Sequence, residues 1–123
     1  MAVAGVVHIP WYATGFRGDE LAEGLAEISA LSVRYGSRSY VVYRARDDRY
    51  KFLQVLEFET KLDWERYWEG PELIEFRVNC SGWFQVPVVY GWQDVVVRGR
   101  GPGSGEDERG ETRSSAVSEG ESA

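Results

Sequence analysis

The chain has 123 residues, with 14 Lys and Arg against 20 Asp and Glu, a net charge of −6, and it is 43% hydrophobic. That length holds one domain with room for a tail, and the acidic balance argues against a nucleic-acid partner, which needs a basic footprint to meet phosphates. No run approaches the ~20 apolar residues that span a bilayer, so no membrane partner is expected. The single cysteine, Cys80, excludes an internal disulfide and fits a reducing cytoplasm.

The opening MAVAGVVHIPWY lacks the basic n-region of a signal peptide and reads as structure. Its β-rich run over residues 2–10, ended by Pro10, predicts a strand. Leu21, Leu25, Ile28 and Leu31 then recur at helical spacing, with Glu20, Glu23 and Glu27 mostly off that stripe. This predicts an amphipathic helix over residues 19–35, entered at Gly18-Asp19 and stopped by Gly36 in the left-handed conformation. Residues 37–46 and 50–58 read as two strands around Asp47-Asp48, an antiparallel hairpin.

Thr60, three residues before Asp63, opens a helix that carries Trp64, Tyr67 and Trp68 on one face. Gly70-Pro71 breaks it, and Pro71 suits the first position of a new helical segment running to Gly82. Residues 84–97 read as a long final strand, with Phe84, Val86, Val88, Tyr90 and Trp92 on one face. From Gly99 the composition changes: 25 residues hold six Gly, five Ser and no aromatic. Such a segment cannot bury enough area to offset its ordering entropy, and residues 99–123 are expected to be a disordered acidic tail on a domain of residues 1–98.

The order β-α-β-β-α-β is the ferredoxin-like α+β arrangement, a four-stranded antiparallel sheet with its helices on one face. The last and third strands are partly apolar on both faces, more than a solvated face should be. A second copy packed sheet to sheet is the simplest cover, so a homodimer is expected.

On element order, on the helix Asp63-Trp64-Glu65-Arg66-Tyr67-Trp68 before its break, and on the aromatic final strand, residues 2–97 resemble the dimeric α+β barrel superfamily. Within it, they look most like small bacterial proteins of the antibiotic-biosynthesis-monooxygenase-like kind. The resemblance implies a homodimeric barrel with an apolar pocket between sheet and helices in each subunit. Activities on this fold include cofactor-independent monooxygenases, haem-degrading enzymes, lactone isomerases and polyketide cyclases, so the fold alone does not choose among them.

His8, the only histidine, is the candidate general base, because its pKa lies near neutrality; the plainer alternative is a histidine hydrogen-bonded for structure. One His and one Cys fall short of a protein zinc site, and no metal or cofactor is expected. Trp68 and Trp92 are candidate walls for a flat aromatic or polyketide-like ligand, with Trp64 leaning towards core packing. Gln54, an uncharged polar residue centred in an apolar strand face, either holds a ligand, bridges to His8 or pairs with a tyrosine across the sheet. Asn79 and Tyr90 are candidate hydrogen-bonding groups for ligand oxygens. Arg44, Arg46, Arg49 and Lys51 read as surface ion pairs with the neighbouring Asp47 and Asp48.

Three functions follow in order. The first is a cofactor-independent monooxygenase-like enzyme, or binder, for a small aromatic molecule. The second is a non-catalytic dimeric binding or interaction module. The third is a haem-binding or haem-degrading protein, ranked last because the haem-degrading relatives place a His on the second helix and residues 61–81 contain none.

Overall fold

A computed structural model describes residues 4–103 of the chain. Most of the expected tail, residues 104–123, lies outside the described residues, as do residues 1–3. The elements are β1 (Gly5–Tyr12), α1 (Gly18–Leu31), β2 (Ser37–Arg44), β3 (Lys51–Phe58), α2 (Lys61–Trp68), α3 (Pro71–Asn79) and β4 (Gly91–Gln93). The four strands form one antiparallel sheet in the order β2-β3-β1-β4, which is the ferredoxin-like arrangement with its second helix split in two.

Local chemistry explains most boundaries. α1 buries Leu21, Leu25 and Ile28 and turns Glu20, Glu23 and Glu27 outward. A 3-10 turn over Ser32–Tyr35 follows and stops at Gly36, whose φ of +99° suits a residue without a Cβ. Thr60 Oγ1 accepts a hydrogen bond from the Asp63 amide at 3.1 Å and so caps α2. Pro71 then opens α3, where its missing N–H costs no helical bond.

Two strand expectations need correction, and one cause serves both. β1 does not end at Pro10 but runs through it to Tyr12. The proline is tolerated because β4 pairs only with Val6, Val7 and His8, so β1 has no strand neighbour on that side at Pro10. The last strand, in turn, is not continuous over residues 84–97. Phe84 bridges Ala13, and pairing resumes only where Gly91 meets His8. Four residues of β1 separate those two contacts, against six of the last segment, so residues 85–90 bow out as a strap, held at its start by the Gln85 amide donating to the Tyr12 carbonyl at 2.8 Å. A proline on each side, Pro10 and Pro87, removes donors that a ladder there would have needed.

The two sheet faces separate by register. Val7, Ile9 and Trp11 of β1 and Phe52, Gln54, Leu56 and Phe58 of β3 point to the helices and are buried. The opposite face carries Val6, His8, Pro10 and Tyr12, with Leu53 and Val55 of β3 and Val41 and Tyr43 of β2. No helix covers it. Val41 is 38% exposed and Tyr43 58%.

The hairpin arginines also pair differently from expectation. Arg44 reaches past Asp47 and Asp48 to Asp19 of α1 at 2.9 Å, donates to the Arg49 carbonyl at 2.7 Å, and stacks on Phe52. Asp48 instead accepts from the Tyr12 hydroxyl at 2.7 Å and from the Tyr50 amide.

Candidate ligand site

The helix side of the sheet is a layer of rings. Trp11 lies at its centre, edge-on to Phe84 at 4.9 Å and to Phe76 at 5.9 Å, and tilted against Trp68 at 6.1 Å. Trp64 stacks on Trp68, one helical turn away, at 5.2 Å, and packs against Phe58 and Tyr67. Arg77 of α3 lies 4.2 Å over the Trp68 ring and donates to the Trp68 carbonyl, which fixes the residue at the α2–α3 break. Tyr90, delivered by the strap, meets Trp64 at 4.8 Å and Trp68 at 5.6 Å while remaining 36% exposed.

Trp92 pairs with Val7 and therefore turns to the same side. Its indole fills the space over Gly5, where an added Cβ would come within 2.5 Å of the ring. Glycine is needed there for close approach, not for backbone freedom.

One polar chain crosses this layer and is satisfied throughout. The Trp11 indole N–H donates to Gln54 Oε1 at 3.0 Å, and Gln54 Nε2 donates to Ser29 Oγ at 2.9 Å and to the Tyr67 hydroxyl oxygen at 3.4 Å. The Tyr67 hydroxyl in turn donates to the Ile28 carbonyl at 2.5 Å. Burial pushes the Tyr67 hydroxyl far above its ordinary pKa, only partly opposed by the Gln54 bond, so it stays a neutral donor.

One buried polar atom stands outside this chain. Among the described residues the Trp64 indole Nε1 has no hydrogen-bond partner, although Trp64 is wholly buried. A buried donor without an acceptor costs about 1–3 kcal/mol, so native structures usually give such an atom a partner.

The sequence candidates divide accordingly. Trp68, Tyr90 and Trp92 are brought to one side of the sheet, Trp68 and Tyr90 against Trp64 and Trp92 over Gly5. Gln54 is there too, but its amide is committed to Trp11, Ser29 and Tyr67. His8 is half-buried on the opposite face, opposite Val55 and Gly91, so the expected bridge to Gln54 does not form. Asn79 ends α3 and is exposed. Cys80 lines a different cleft of about 360 Å³ with Glu20, Glu23, Glu27, Phe76 and Trp83, and burial raises its thiol pKa.

Sequence reasoning leaned towards core packing for Trp64, which is indeed wholly buried, and passed over Trp11. The i, i+4 spacing of Trp64 and Trp68 signalled their shared face, but not which indole nitrogen would lack a partner. Trp11 escaped because Pro10 was taken as the end of its strand.

Comparison of folds places this architecture. The chain has the fold of antibiotic biosynthesis monooxygenase-like proteins. A candidate antibiotic biosynthesis monooxygenase from Nitrosomonas europaea superposes with a TM-score of 0.70 at 14% identity, over 78% of this chain and 93% of its own. A protein from Pseudomonas aeruginosa gives 0.70 at 16% identity, over 79% and 98%. SnoaB, a cofactor-independent oxygenase from Streptomyces nogalater, gives 0.68 at 13% identity, over 79% and 97%. No family model and no curated protein sequence matches the chain. No helix among the described residues is long and apolar enough to cross a membrane.

Proposed function

We propose that this protein binds a planar, oxygenated aromatic molecule of the polyketide-like class in the ring layer between the sheet and α2. The carrying observation is the Trp64 indole N–H, buried without an acceptor among flat apolar surfaces. A ligand carbonyl or phenolic oxygen would accept from it, while the Trp64–Trp68 stack supplies contact area. The fold shared with a cofactor-independent oxygenase fits a small-molecule-binding or oxygenase-like role.

The proposed reaction is oxygenation of an anthrone-type substrate: its ring CH2 loses a proton to solvent water, the carbanion carbon bonds dioxygen and is reprotonated as a hydroperoxide, and loss of water leaves a quinone carbonyl. The protein's part is to hold the anionic oxygen on a fixed donor. His8 is not the base in this pocket, because it faces away from it. The rings that meet Trp64 bring no histidine or carboxylate with them, and Tyr67 is held neutral. This favours, as the second reading, a binding module that does no chemistry.

Oxygen uptake with dithranol, an anthrone, separates the two. Uptake that falls at least tenfold in Trp64→Phe, which keeps a ring and removes the donor, supports the enzyme. Saturable binding without uptake supports the module. Absence of dithranol binding would sink both.

We also propose that the open sheet face meets the same face of a second copy. Val41, Tyr43, Leu53 and Val55 form an apolar belt there that a monomer would leave wet. Sedimentation as a monomer at high concentration would refute this.

A further inference from the structure

We infer that Tyr90 occupies the ligand's own place: its phenol ring is an internal stand-in, and the strap of residues 85–90 is the door through which a phenolic or naphtholic ring replaces it. The inference rests on the function proposed above and deepens it.

Three independent features meet at this residue. First, Tyr90 contacts both members of the Trp64–Trp68 stack, the flat surface a planar ligand would use. Second, it is the least committed ring of the layer. It is 36% exposed, whereas Trp64 is 0% and Trp68 7% exposed. Third, the strap that carries it makes no ladder pairing between the Phe84 bridge and Gly91, and Val86 and Val89 on it are 74% and 65% exposed. Swinging residues 86–90 outward therefore breaks no ladder pairing: the Gln85 amide, which donates to the Tyr12 carbonyl at 2.8 Å, is the fixed end of the strap, and Val88, half-buried against the core, is released together with Tyr90.

The exchange is chemically like for like. An incoming phenol recovers the edge contacts that Tyr90 gives up. It also brings an oxygen acceptor that is free to approach Trp64 Nε1, which in the closed form has none. Tyr90 thus acts as a competitor: apparent affinity is the intrinsic affinity reduced by the fraction of molecules with the strap open. The site should accordingly prefer ligands that present a ring and an oxygen acceptor together over saturated or purely hydrocarbon ones.

The test uses the full chain and 1-naphthol as probe, with affinities measured by calorimetry in wild type, Tyr90→Ala, Trp64→Phe and the double variant. The expected result is about tenfold tighter binding in Tyr90→Ala, the scale of a lost aromatic competitor. The gain should be largely cancelled when Trp64→Phe is added, which distinguishes a working site from a hole left by truncation. Naphthalene, which lacks the oxygen, should gain little. If Tyr90→Ala binds no tighter than wild type while Trp64→Phe still weakens binding, Tyr90 is wall and not competitor; the internal-ligand proposal falls and the ligand site stands. If no form binds 1-naphthol, both fall. Tyr90→Ser gives the same comparison should the alanine variant fold poorly.

Discussion

The two faces of the sheet are built from the same strands but to different purposes. The helix side is specified ring by ring: Trp11, Phe58, Trp64 and Tyr67 are all but inaccessible, and each packs against at least one other ring. The open side carries small and β-branched side chains, Val6, Val41 and Val55, with Leu53, Pro10 and two exposed tyrosines. A face that needs one fixed partner uses shaped rings. A face that needs only an apolar plane uses residues that pack on many surfaces. The contrast places the buried ring packing on one side and, on the proposed dimer, the association surface on the other.

The sharpest way to break that division is Trp11→Ala. It removes a ring with three aromatic neighbours and strands Gln54 Oε1, so the loss should be about 3–5 kcal/mol in urea unfolding. Gln54→Leu tests the polar chain alone. It leaves the Trp11 N–H without an acceptor and should cost about 1–3 kcal/mol in the same measurement.

Val55→Asp addresses the other face. It should shift sedimentation to the monomer while leaving monomer stability within about 1 kcal/mol, as surface changes usually do. A variant that stayed dimeric would undo the division of labour.

Alkaline titration probes the buried hydroxyl. Tyr67 has a folded-state pKa raised by burial above the unfolded value of 10.0. Its contribution is therefore complete below that value and is lost as pH rises above it, because the unfolded chain then releases a proton that the native one keeps. Of seven tyrosines, Tyr67 should be the last to show tyrosinate absorbance, in step with unfolding, and Tyr67→Phe should delete that final phase. The smallest effect is expected at Phe16, fully solvent-facing at φ +64°; Phe16→Gly should be neutral or stabilise by up to about 1 kcal/mol.

The fold was legible in the sequence wherever periodicity and breakers agreed, as for α1 with Gly36, for Thr60 at the start of α2 and for Gly70-Pro71. Register within the sheet was harder. Alternation alone made 84–97 one strand, because it cannot show that Phe84 and Gly91 are spaced two residues too far apart for the partner they share. The site was half legible. Aromatic content marked the layer, and Trp68, Tyr90 and Trp92 fall on its side of the sheet. His8 and Gln54 were associated by chemistry, yet odd and even positions of paired strands put them on opposite faces, a separation that only the register reveals.

The parallel packing of Trp64 on Trp68 has an optical consequence. Two indoles 5.2 Å apart and 27° from coplanar couple their transition dipoles. The far-ultraviolet circular dichroism of this protein should therefore carry exciton coupling among Trp64, Trp68 and the neighbouring Trp11, superimposed on the backbone bands, and helix content read naively from the spectrum will be distorted. The same signal is label-free: it should vanish in Trp68→Phe, which removes both indole pairs, and weaken in Trp64→Phe, which leaves Trp11 with Trp68, while the backbone bands persist.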